Sequence, residues 1–261
     1  MCQHFMLLLK NIMYCQKMDY EKLAGLTVPE LKGIAESLGV KSNGTKKVIL
    51  GEIEVCFREY EAYKTEKVDK YKKIERLGEP GKEGIAYLVV DKNMNEYAMK
   101  TFRVQKSSER LEQEAALQAK AAEAGVSPRV IETDTVSKYI VMEKMDRHLV
   151  DVMKKQNGDL KKSQQKAIIK LFKKLDDAGV FHGDANILNY MYRGKDLYMI
   201  DFGMSKEITS KLQKKLGTYT PNYTLMLAGL IIKLKELKCP SSAYEHLLTH
   251  VPEADRKKYN F

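Results

Sequence analysis

The chain has 261 residues, 44% of them apolar, and a formal net charge of +10 at pH 7, which is enough apolar material for one large core or two unequal ones. Its cysteines, Cys2, Cys15, Cys56 and Cys239, are far apart and form no CxxC or Cys/His cluster, which argues against a zinc site or disulfide framework and for a reducing compartment. The apolar run at 5–9 is too short for a secretory core and no stretch is long enough to span a bilayer, so no membrane contact is expected.

Residues 19–60 read as short helices. Thr27 followed by Glu30 is a capping box that opens a helix through Leu38, where Gly39 stops it. The stretch KSNGTKK at 41–47 is a turn, and a second helix follows with Val48, Ile49 and Ile53 as its apolar stripe. Residues 54–73 are dense in charge and lack glycine and proline, which predicts a helical connector with a domain boundary at its end. The expected organisation is an N-terminal extension over 1–18, a helical module over 19–60, a connector over 61–70 and a compact domain over 71–261.

From residue 71 the pattern becomes strand, glycine turn, strand: KIERLG, EPGKEG, IAYLVV, a turn at 92–95, then EYAMKTF. Residues 108–124 form a helix closed by Gly125 and Pro128, and RVIETD and KYIVMEK read as two further strands. Over 161–178, Ala167, Ile168, Leu171, Phe172 and Leu175 share one helical face, ended by Gly179. NYMY and DLYMID make a hairpin around 193–196, and the remainder is mostly helical, with 225–232 as a buried helix. Lys154, Lys155, Lys161, Lys162, Lys166, Lys170, Lys173 and Lys174 form the densest basic cluster. It is either a solvated helix face or a surface for an acidic substrate or nucleic acid.

The strongest chemical signal is HGDANILN at 182–189 followed by IDFG at 200–203. Phosphoryl transfer needs a carboxylate to orient the attacking hydroxyl and oxygen ligands to hold magnesium against phosphates, and Asp184, Asn189 and Asp201 supply both. In order and spacing these residues resemble the protein-kinase superfamily, with HRDxxxxN written here as HGDxxxxN and DFG intact. The resemblance implies further assignments upstream. Lys100 in YAMK matches the lysine that holds nucleotide phosphates. Glu114, which shares a helical face with Leu117, Gln118 and Ala121, is its expected partner, with Glu112 as rival. Gly81, Gly84 and Ala86 fall in register with the glycine-rich loop and the residue that covers adenine, although Glu79 stands where the first glycine belongs and Pro80 stiffens the turn. In YIVMEKM, Met142 matches the gatekeeper, and backbone groups of Glu143 and Met145 would bond adenine.

The departures narrow the resemblance. Gly183 replaces the arginine that pairs with an activation-segment phosphate, so no such switch is expected, and Asn186 stands where serine/threonine kinases carry a lysine. Only 58 residues follow Gly203 and no APE motif is among them, so the later helices must be reduced. This form resembles the RIO kinases, the KEOPS-complex kinase and the reduced kinases of large DNA viruses. Upstream, Leu26, Val28, Leu31, Leu38, Gly39, Gly44, Lys46 and Leu50 resemble the SAP motif of DNA-associated proteins. Residues 19–60 hold seven acidic and six basic residues, however, so attraction to phosphate would be weak.

The expected fold is therefore α+β: a bilobal protein-kinase-like fold with an antiparallel N-lobe sheet and a truncated helical C-lobe, preceded by a small SAP-like helical module. The expected function is a serine/threonine protein kinase using ATP and Mg2+ on a protein substrate, constitutively active and of viral origin. A DNA or protein contact through the SAP-like module is expected, as is an intracellular location in cytoplasm, nucleus or virion. Two alternatives stand beside it, a small-molecule phosphotransferase and a non-catalytic adaptor that keeps a nucleotide-binding kinase fold.

Overall fold

The computed structural model describes residues 20–38, 40–56, 70–81, 83–103, 105–259 and 261. The expected extension over 1–18, the helix stop at Gly39 and most of the expected connector lie outside them. The chain divides into two units, Met1–Lys73 with Val90–Asn95, and Ile74–Val89 with Glu96–Phe261.

In the first unit the helices are α1 (Tyr20–Gly25), α2 (Val28–Leu38) and α3 (46–56). Thr27 opens α2: its backbone N–H and its hydroxyl both donate to Glu30 Oε2, at 2.7 and 2.6 Å, which satisfies an amide the helix itself cannot. Leu31, Ala35 and Leu38 on α2 and Ile49, Ile53 and Cys56 on α3 are buried, each set spaced at helical repeats. Val48 is a correction to the expected stripe, being 44% exposed. It stands roughly 100° around the helix from Ile49, and its side chain lies over Gly44 instead.

The second unit holds most of a five-stranded sheet of β1 (Lys72–Arg76), β2 (Gly84–Val90), β3 (Glu96–Phe102), β4 (Val130–Asp134) and β5 (Tyr139–Glu143), in the order β1-β2-β3-β5-β4. The pairs β3–β5 and β4–β5 are antiparallel, with Lys100 opposite Ile140 and Ala98 opposite Met142. Helix α4 (Ser108–Glu123) starts where the Ser107 hydroxyl accepts the Arg110 N–H at 3.3 Å. Its Leu111 and Ala115 pack with Phe102, Ile140 and Met142 from the sheet.

The remaining elements build a larger helical core. They include β6 (Arg147–His148), α5 (Leu149–Lys154), α6 (Lys162–Asp177), β7 (Val180–Phe181), β8 (Tyr190–Arg193), β9 (Asp196–Met199), β10 (Lys206–Glu207), α7 (Ser210–Leu216), α8 (Leu227–Glu236), α9 (Glu245–Leu248) and α10 (Glu253–Tyr259). β6, β8 and β9 form a three-stranded sheet in that order, and β7 pairs antiparallel with β10. Ile168, Ile169, Leu171, Phe172 and Leu175 of α6 and Leu227, Leu230, Ile231 and Leu234 of α8 are buried in one cluster. The expected helix at 225–232 is present, its first two residues in a widened helical turn over Asn222–Met226 whose first amides are held by Asp176. An antiparallel sheet joined to a helical layer is the α+β, kinase-like arrangement. Among the described residues no helix is long and apolar enough to cross a membrane.

Candidate active site

Strand β3 carries Lys100 and α4 carries Glu114. Lys100 Nζ donates to Glu114 Oε1 at 2.7 Å and to Asp201 Oδ1 at 2.6 Å, which joins three parts of the chain at one ammonium. Glu114 is only 3% exposed, whereas Glu112 faces solvent. Burial pulls the Lys100 ammonium toward deprotonation, but the Glu114 and Asp201 carboxylates outweigh it and hold its pKa above the ordinary value. For Asp201 burial pushes upward and Lys100 outweighs that, so its pKa lies below the usual carboxylate range. Both groups are charged at neutral pH. Asp201 sits in the left-handed region, with φ 65°, and its carboxylate accepts the Gly203 N–H at 3.5 Å.

The HGD segment is stitched to the DFG segment through His182. Its Nε2–H donates to Ile200 O at 3.0 Å, Nδ1 accepts the Asp184 N–H at 3.4 Å, and its ring meets the Phe202 ring edge-on at 4.9 Å. Burial holds the imidazole below its ordinary pKa, so it stays neutral. Asp184 accepts the Asn186 N–H at 3.1 Å through Oδ1 and the Asn189 Nδ2–H at 2.9 Å through Oδ2. The Asn189 carbonyl oxygen also receives the Ile200 N–H at 2.9 Å, which ties that loop to the residue before Asp201. Gly183 has φ +80°, and a Cβ there would stand 3.0 Å from Met204 O.

The glycine turn and the hinge strand resolve differently from one another. Gly81 N–H donates to Gly84 O at 2.9 Å and Leu77 N–H to Ala86 O at 2.9 Å, closing the turn between β1 and β2; its member Lys82 lies outside the described residues. A Cβ on Gly84 would fall 2.0 Å from Thr101 O, so the glycine there is demanded by strand contact. Met142 is buried in the sheet core and its sulfur accepts from Gln118 Nε2 at 3.4 Å. Met145 is also buried. The Glu143 N–H donates to Arg129 O at 3.0 Å, so any backbone bond from this residue to an adenine would use its carbonyl oxygen. Its carboxylate pairs with Arg129 and Arg193, which outweigh burial and hold its pKa low.

Four residues of this region escape the sequence reading. Fully buried Asn222 accepts the His182 N–H at 3.0 Å and donates to Asp176 Oδ1 at 2.7 Å and Val180 O at 2.8 Å. Burial raises the pKa of Asp176 against the lowering effect of its bonds to Asn222 and Tyr223. Lys106 and Glu83 form a second ion-pair layer next to Glu114. For Asn222 the local signal was only an asparagine after Pro221 at a helix start; for the others it was nothing beyond charge.

Oxygen donors dominate the site. The carboxylates of Glu83, Glu114 and Asp201 offer oxygens all within 4.8 Å of one another. Asn189 spends its Nδ2–H on Asp184, leaving the amide oxygen Oδ1 as the ligand atom it could offer. Hard carboxylate and amide oxygens suit Mg2+, and the lysines suit phosphate, so this donor set fits a magnesium nucleotide.

The family profile described as "Protein kinase domain" matches residues 71–225. Over 124 residues the chain is 29% identical to the KEOPS complex subunit Bud32 of Pyrococcus abyssi (strain GE5 / Orsay), a stretch covering 47% of this chain and 56% of that protein. The chain thus spans about half the length of the curated relative it matches.

Proposed function

The chain belongs to the protein kinase domain family, and on that premise we propose that it transfers the γ-phosphoryl group of ATP to a serine or threonine hydroxyl of a protein substrate. The observation that carries this is Lys100 Nζ held between Glu114 and Asp201 at 2.7 and 2.6 Å. A lysine so placed offers its remaining N–H to an incoming phosphate oxygen, and Glu114 keeps it from collapsing elsewhere.

Magnesium, when bound, would supply positive charge against the charge that develops on the transferred phosphoryl group. Asp201 and Asn189 would hold it. Asp184, oriented by the Asn189 amide, aligns the acceptor hydroxyl and takes its proton. The His182 bridge keeps the two loops in register, so most of the acceleration arises from positioning. The location that goes with this reading is intracellular, in cytoplasm, nucleus or virion.

The test is transfer of labelled phosphate from ATP with Mg2+ to acidic and basic carrier proteins. Wild type should label one of them, and Asp201→Ala should lower the rate by at least about 100-fold. Equal labelling by both would remove this assignment.

Because the relative is named as a subunit of a complex, a second reading is a partner-binding subunit that keeps the nucleotide site. Stabilisation by Mg-ATP that vanishes in Asn189→Ala, with no label transferred to any acceptor, would favour it.

A further inference from the structure

We propose that Lys106 is a positioning residue of this same site. It shares Glu114 with Lys100 and tethers the β1–β2 turn through Glu83, whose carboxylate holds the place that an outer nucleotide phosphate takes. The inference rests on the nucleotide-binding reading above.

Lys106 is an unusual cation for its position. Its side chain is 7% exposed, and Nζ lies 4.5 Å from the centre of the Phe102 ring. An ammonium this far from water needs anions, because desolvation otherwise outweighs everything it gains. It has two: Glu114 Oε2, in direct contact, and Glu83 Oε2 at 2.6 Å. Glu114 is thereby divided, with Oε1 on Lys100 and Oε2 on Lys106. Its carboxylate cannot rotate away from Lys100 without breaking the second pair, so Lys106 fixes the orientation of the Lys100–Glu114 bond. The backbone at Lys106 is anchored in turn: its N–H donates to Arg103 O at 3.1 Å and its carbonyl accepts from Lys138 Nζ.

Glu83 is the loosest member, with its side chain 46% exposed. Its backbone carbonyl accepts the Arg103 N–H at 2.9 Å, and its Oε2 lies 2.6 Å from where a Cβ on Gly203 would stand. It therefore rests against the DFG glycine, beside Asp201. Three carboxylates, Glu83, Glu114 and Asp201, face two ammonium groups, Lys100 and Lys106. A polyphosphate adds further negative charge, and repulsion falls first on the carboxylate that can leave most cheaply. Glu83 is exposed and sits on a turn, while Glu114 is buried and Asp201 is held by Lys100. Phosphate oxygen then takes the place of Glu83 on Lys106.

The experiment measures equilibrium binding of ATP, ADP and adenosine, with Mg2+ and without turnover, to the full chain and to Glu83→Gln. Glu83→Gln removes the competing charge while keeping the side chain's size. ATP should bind about fivefold more tightly to Glu83→Gln, with the gap narrowing at high salt and vanishing for adenosine, which carries no phosphate. In the Lys106→Met background the Glu83→Gln gain should disappear; if that variant does not fold, Glu83→Gln alone decides. Unchanged ATP affinity in Glu83→Gln, or equal tightening toward adenosine, overturns the proposal. Failure of wild type to bind ATP at all would instead strike the nucleotide-binding reading itself.

Discussion

Tyr190 has the only buried side-chain oxygen or nitrogen without a hydrogen-bond partner among the described residues. Its ring earns that burial by packing edge-on against Phe172 at 6.2 Å, while burial drives the hydroxyl's pKa far upward. Removing an oxygen that makes no bond relieves a desolvation penalty of about 1–3 kcal/mol. Tyr190→Phe is therefore expected to melt at the same temperature as wild type or higher, and a fall of several degrees would mean that the hydroxyl has a partner in solution. Asn222 is the opposite case. Asn222→Ala strands the His182 amide in the interior and takes a side-chain donor from Val180 O and Asp176, and should lower unfolding free energy by about 2–4 kcal/mol in urea titrations. Its turnover should fall as well, since His182 holds the Asp184 segment against the DFG segment.

Among the elements, the glycine turn separates two kinds of glycine. Gly84→Ala places a methyl group within the carbonyl of Thr101 on β3 and must pry the strands apart, a loss of at least about 2 kcal/mol that thermal melting would register. At Gly81 the nearest atom to an added Cβ is 3.5 Å away, so Gly81→Ala should cost less than about 1 kcal/mol. Equal effects at the two positions would contradict this strand contact. Sequence pattern makes the first-order features legible: the apolar runs of β3 and β5, the α6 stripe, and the burial of Glu114, which shares a helical face with Leu117, Gln118 and Ala121. It does not reach the Asn222–Asp176 brace or the Lys106–Glu83 tether. Those partners are 46 and 23 residues apart, and no local periodicity reports a contact between side chains joined only by the fold. Val48 departs for a different reason: it lies about 100° around the helix from the narrow stripe of Ile49, Ile53 and Cys56, outside the arc that α3 buries.

At the scale of the whole molecule, three titrations within the site shape the pH range of stability. His182 has a folded pKa below its ordinary 6.5, so the unfolded chain takes up a proton that the folded chain refuses, and stability falls as pH drops below that value. Asp201 has a folded pKa below 3.8; its contribution is present above 3.8 and lost as pH falls through the folded value. Lys100 has a folded pKa above 10.5; its contribution is present below 10.5 and lost as pH rises through the folded value. The melting temperature should therefore be level between about pH 7 and 9 and decline toward pH 5. Burial and the neighbouring lysines also lower His246 and His250, which add to the same decline. His182→Gln should flatten part of the slope, and an unaltered slope would exclude His182 as a contributor.

Gly183 has a consequence for the history open to this chain. With φ at +80° and a carbonyl waiting 3.0 Å from any Cβ, the position admits no arginine unless the backbone first moves. Control by a phosphorylated segment is thus not one codon away: Gly183→Arg alone would damage the loop before it could recruit a phosphate. Lineages carrying this loop would acquire regulation more readily from a binding partner than from point substitution.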